Sequence, residues 1–236
     1  MTYAFVQQSH NSATAAATSI SATPGASVGA GNLRIAWVKY EGGDAGVTVG
    51  DGVDSFTEAG TVVNDGGTRL RMFYKLNSTA GAGVVTANLD ASRTNIGLYV
   101  AEYSGIDSFI THENTAAANP GSGTDAISTG LVNVTTQPAL FVAWVADYDS
   151  DTNPVLAGTG FTSRGQGWTF GTANNMARLQ DKRVTATGNT TGTATGAYGS
   201  HTYKITAFAF AESTASAFID FTSGSGSSDM SDCGDM

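Results

Sequence analysis

The chain has 236 residues, enough for one large all-β domain or two small ones, and only 13% of them are charged while 30 are glycine and 4 proline. A net charge of −9 argues against a nucleic-acid surface, which needs clustered Lys and Arg, and against binding to anionic membranes. A single cysteine excludes an internal disulfide, and no apolar run approaches the roughly 20 residues of a membrane span.

Taken in order, Tyr3 to Gln7 and Ala17 to Ala22 read as short strands, with a turn at Pro24-Gly25. Leu33 to Tyr40 is an apolar run rich in β-branched and aromatic residues, the pattern of a buried strand. Glu41-Gly-Gly-Asp44 and Asp51-Gly52 punctuate the next hairpin, and Phe56 to Val63 reads as a further strand. Asn64-Asp-Gly-Gly67 signals a tight hairpin, because such residues tolerate positive φ. Over Arg69 to Leu76 the residues alternate, with Leu70, Met72, Tyr74 and Leu76 on one face and Arg69, Arg71, Phe73 and Lys75 on the other. Val84 to Leu89 and Ile96 to Tyr103 complete the first half. No segment sustains a helical period.

The second half retraces the first. Leu33, Ala36, Trp37 and Val38 match Leu140, Ala143, Trp144 and Val145, each 107 positions on. Ser19-Ile20-Ser21 is answered by Ala126-Ile127-Ser128, Phe56 by Phe161, and the Arg69 to Lys75 strand by Arg178 to Val184. Ser104 to Ser108 is too short for a linker, and neither half has the Cys–Trp–Cys pattern of immunoglobulin domains. The expected fold is therefore all-β: a two-sheet antiparallel jelly-roll-like sandwich over residues 1–222, with a pseudo-repeat of about 107 residues relating halves 3–105 and 109–211. Tandem immunoglobulin-like domains are the alternative. Residues 223–236, rich in Gly, Ser and Asp, read as a flexible tail.

Chemistry is sparse. Asp147, Asp149 and Asp151 alternate in a loop, a spacing that suits oxygen ligation of Ca²⁺, or else a solvated acidic turn. The EF-hand pattern is incomplete, and no other cofactor is indicated. Arg69, Arg71, Lys75, Arg178, Lys182 and Arg183 fall in the two matched strands, as a docking stripe for an acidic partner or as charged outer strand faces. Trp168, among glycines, is a candidate glycan contact, whereas Trp37 and Trp144 read as core. Cys233 is a candidate intermolecular thiol. The three histidines are scattered and no nucleophile or phosphate-binding motif occurs, so no enzymatic activity is expected.

The runs VGAGNLRIAWVKYEGG, FTEAGTVVNDGGTRLRMFYKL and VAEYSGID, followed by Val184-Thr-Ala-Thr-Gly188, resemble a β-sandwich module of bacteriophage structural proteins and bacterial surface proteins. The resemblance covers residues 3 to 211 and brings no catalytic residue with it. It implies a virion structural protein such as a capsid decoration, spike, fibre or tail component. Such a protein would be assembled in the host cytoplasm, where no leader is needed, would contact other virion proteins and itself as a homo-oligomer, and would not bind nucleic acid or membrane. The alternatives are a carbohydrate-binding module, with Ca²⁺, acting on a host-surface glycan, or an extracellular adhesin domain.

Overall fold

The structure, a computed structural model, describes residues 2–65, 67–81, 83–118, 124–129, 131–147, 156–166, 177–191, 193–197 and 203–213. Residues 148–155, 167–176 and 214–236, which contain Asp149, Asp151, Trp168, Cys233 and the expected tail, lie outside them.

The described residues are all-β. The first part of the chain carries β1 (Ala4–Ala13), β2 (Ala17–Ala22), β3 (Leu33–Glu41), β4 (Val47–Gly50), β5 (Thr57–Glu58), β6 (Val63–Asp65), β7 (Thr68–Lys75) and β8 (Val85–Ser104). The second carries β9 (Ile106–Ala118), β10 (Thr124–Ser128), β11 (Val132–Val134), β12 (Ala139–Asp147) and β13 (Leu156–Ala157). It continues with β14 (Thr162–Gln166), β15 (Ala177–Val184), β16 (Gly188–Thr190), β17 (Thr193–Ala197) and β18 (Tyr203–Glu212).

Two antiparallel sheets form the centre. One has the order β1-β8-β3-β7-β5, with β6 also on β7, and the other has the order β9-β18-β12-β15-β14. They meet face to face because each strand turns alternate side chains inward. Leu33, Ile35, Trp37, Tyr99 and Tyr103 from the first sheet close on Leu140, Val142, Trp144, Phe208 and Phe210 from the second. Each such side chain taken from water contributes roughly 1.5–3 kcal/mol. At the rims β1 lies against β14 and β6 against β9, so the edges of one sheet shelter those of the other.

More layers are present than the two sheets expected. The opposite face of the first sheet is covered by β2 and β4, both paired to the early part of β8, over Ala36, Val38, Tyr40, Phe73, Leu98 and Val100. Outside the second sheet run β10-β17-β13 and β11-β16, with Val132, Val134, Phe141, Ala207 and Ala209 in the core beneath.

Three local expectations change. Val84–Leu89 and Ile96–Tyr103 are one strand of 20 residues, which pairs with β2 and β4 through its first part and with β1 and β3 through its second. The strand changes sheet where Asn95 takes φ 48 and the register against β3 slips between Lys39 and Glu41. Phe56 to Val63 is not one strand, because Gly60 at φ 76 breaks it between β5 and β6. The first strand extends to Ala13 rather than ending at Gln7. The Asn64–Gly67 hairpin is as read, with Asp65 paired to Thr68 and Gly67 at φ 121.

Candidate functional site

The alternation over β7 holds, but its basic side chains engage groups of this same chain. Arg71 Nη1 donates to Glu58 at 2.7 Å, its Nη2 to Asp44 at 3.0 Å and its Nε to the Tyr40 hydroxyl at 3.2 Å. Lys75 lies 3.4 Å from the Asp54 carboxylate, and Arg69 donates to the Thr68 carbonyl. On β15, Arg178 donates to Ser163 Oγ at 2.7 Å and Arg183 makes a two-pronged pair with Glu212. Lys182 sits over the rings of Phe141 and Phe161, at 5.3 and 4.6 Å. The two groups belong to different central sheets, so the fold does not bring all six into one row. Asp147 ends β12, and among the described residues no cluster of three or more metal-ligating side chains occurs.

Two buried polar clusters were not singled out from the sequence. The first surrounds Arg34, which is 1% exposed as the second residue of the largely apolar strand β3. Its Nη1 and Nη2 donate to Asp51 and Asp54, both at 2.7 Å, its Nε donates to Ser78, and its plane lies 4.9 Å from the Phe56 centroid. Asp54 also accepts from the Thr79 N–H and hydroxyl. Next to Arg34 across the sheet, Glu102 accepts from Gln7 Nε2, Asn32 Nδ2 and the Gly29 N–H. Burial alone would raise the Asp51 and Asp54 carboxyls, but backbone N–H donors and the neighbouring cations outweigh it and hold both below their ordinary value.

The second cluster stands at the β1–β14 rim. Asp181 is fully buried on the inward face of β15 and takes both Arg164 Nε at 2.6 Å and Nη2 at 3.1 Å. It also accepts from the hydroxyls of Tyr103 at 3.0 Å and Tyr3 at 3.3 Å. Burial pushes both tyrosine hydroxyls up, and the Asp181 charge adds to this. Arg164 in turn lies over the Phe5 ring at 5.1 Å. The cluster fastens the first strand of the chain to the second sheet. The visible signal for both clusters was a charged residue inside an apolar or alternating strand; their partners are too far away in sequence to read.

Beside Asp51 a shallow cleft of about 440 Å³ lies over the outer face of the paired strands β4 and β8, its wall formed by Thr48, Asp51, Ser55, Thr86 and Asn88 around the half-exposed Val84. Hydroxyl, amide and carboxylate groups on such a wall suit hydrogen bonding to a polar, hydroxyl-rich ligand.

Compared with known proteins, the chain matches no family model, no curated protein and no solved structure.

Proposed function

We propose that this protein is a non-enzymatic structural component of a bacteriophage virion, a capsid decoration, spike, fibre or tail element that acts through subunit contacts. In this reading residues 1–222 are one jelly-roll-like sandwich of two related halves, 3–105 and 109–211. The parallel strand orders β1-β8-β3-β7-β5 and β9-β18-β12-β15-β14 support that relation. The observation that carries the functional reading is where the charge goes. Arg34, Arg71, Arg164 and Arg183 are tied to carboxylates of the same chain, which leaves little basic charge free for an outside partner among these four. Neighbouring subunits would then meet loops, outer strand faces and the exposed part of Arg183. The motifs shared with phage β-sandwich modules supply the virion context. Mass spectrometry of purified particles from the source tests this: the chain should be present in stoichiometric amount, and particles that lack it would overturn the reading.

The cleft beside Asp51 favours a second reading, binding of a host-surface glycan. Binding on a glycan array that is lost in Asn88→Ala would support it; an array with no bound glycan would remove it.

A further inference from the structure

Lys39 is the second charged residue of β3, and it too is 1% exposed. It stands opposite Leu70 on one side and Gly97 on the other, on the strand face that also carries Leu33, Ile35 and Trp37. Burial pushes its ammonium below the ordinary value, although the Glu41 hydrogen bond acts the other way. Burial would raise the Glu41 carboxyl, but the bonds from Asn95 and Lys39 outweigh it and hold that carboxyl below its ordinary value. Glu41, two residues along the same strand face, joins two nitrogens through its two oxygens. Its Oε1 accepts from Lys39 Nζ at 2.9 Å, and its Oε2 accepts from Asn95 Nδ2 at 2.5 Å. Asn95 reaches this place because of the bulge: it lies diagonally across β3–β8 from Lys39, at the left-handed residue where β8 changes sheet.

A sheltered amine, a carboxamide and a carboxylate that bonds both nitrogens are the components of an amide-exchange reaction. We propose that Lys39 and Asn95 are joined by an intramolecular isopeptide bond, with Glu41 as the catalytic proton carrier. The Lys39 ammonium passes a proton along its hydrogen bond to Glu41 Oε1, which leaves a neutral amine with a free lone pair. That pair forms the Nζ–Cγ bond to Asn95 and gives a tetrahedral centre. Glu41 removes the second proton from Nζ and hands protons to Nδ2 as the Cγ–Nδ2 bond breaks. Ammonia departs as ammonium, one amide replaces another, and no oxidant, reductant or metal is consumed. Holding both groups on one carboxylate replaces an intermolecular encounter with an intramolecular one, which removes much of the entropic part of the barrier. The bond would lock β3 to the bend in β8. The cations of the two polar clusters, buried Arg34 and partly exposed Arg164, have no neighbouring carboxamide so bridged among the described residues.

Mass spectrometry of the full chain under denaturing conditions tests the proposal. The wild-type protein should weigh less than its sequence by one ammonia. Trypsin should yield a branched peptide joining residues 35–69 to 94–164, uncut after Lys39. Hydrolytic deamidation of Asn95 would instead raise the mass and leave the chain unbranched. Glu41→Gln should restore the full sequence mass and release the free 35–39 peptide, as should Lys39→Arg, which keeps a cation beside Glu41. A wild-type chain at full mass with a free 35–39 peptide overturns the bond, whatever the variants do. A Glu41→Gln chain that is still branched overturns the role of Glu41.

Discussion

Trp37 and Trp144 lie ring against ring across the interface of the two central sheets, with centroids 6.2 Å apart and planes 17° from parallel. Both are essentially without exposure, and Phe208 and Tyr99 close on Trp37 from the sides. The pair is the keystone of the largest core. Trp37→Ala or Trp144→Ala should each lower unfolding stability by about 3–5 kcal/mol in urea titrations followed by circular dichroism. The double variant should lose less than the sum, with coupling of roughly 0.5–1.5 kcal/mol. Additive losses would mean that the two rings do not share one site.

Asp51 and Asp54 make the fold acid-sensitive. Each has a folded pKa below the ordinary 3.8, so as pH falls the unfolded chain takes up protons first. Their stabilisation is complete above that ordinary value and is lost as pH drops through the folded ones. Asp54→Asn should cost about 3 kcal/mol at neutral pH, because Arg34 is left half-paired in a dry site. It should also flatten the decline of stability below pH ~4. An unchanged acid profile in this variant would show that other carboxylates set the transition.

The Asp181 cluster should behave as a unit. Removing one partner strands the other, so Asp181→Leu alone should cost about 3–5 kcal/mol. The double variant Asp181→Leu with Arg164→Leu should regain part of that loss, since no bare guanidinium remains. Thermal unfolding of the three proteins settles it: a double variant less stable than either single one contradicts an ion pair closed on itself.

Gly105 is the one residue between β8 and β9. It sits at φ 74, its carbonyl accepts from the Ser213 N–H at 2.9 Å, and an added Cβ would stand 3.0 Å from the Thr2 carbonyl oxygen. Gly105→Ala should cost about 1–3 kcal/mol through strain and contact together. A neutral result in chemical denaturation would mean that the corner relaxes freely.

How much of this could be read from the sequence depends on how local its cause is. The strands at Leu33 and Ala139 and the alternation over Arg69 to Leu76 are written in neighbouring residues, and they appear where expected. The continuity of β8 was hidden because Asp90 to Asn95 is polar, and polar residues between two apolar runs look like a loop until partner strands are known. The buried clusters were hidden for a stronger reason. Asp181 meets Tyr3, a residue 178 positions away, and no periodicity announces such a partner. Lys39 stands within the run read as a buried strand, and no local pattern shows that the bulge in β8 brings Asn95 onto Glu41 beside it.

The pairings of the first central sheet lie wholly within residues 4–104 and those of the second within 106–212. Synthesis therefore delivers every strand of the first sheet before any of the second. Until β12 and β18 emerge, Leu33, Ile35, Trp37, Tyr99 and Tyr103 have no covering layer. A nascent chain at that stage is a half-built sandwich with an adhesive apolar wall, the kind of species that recruits chaperones or pairs with its own copies. Ribosome-bound chains halted after residue 104 should show trigger-type chaperone crosslinks that fade once residue 212 has cleared the exit tunnel, and crosslinking that does not change with length would contradict this order. The single-residue corner at Gly105 would then act as a hinge in time as much as in space, the point at which a sticky surface finds its own lid.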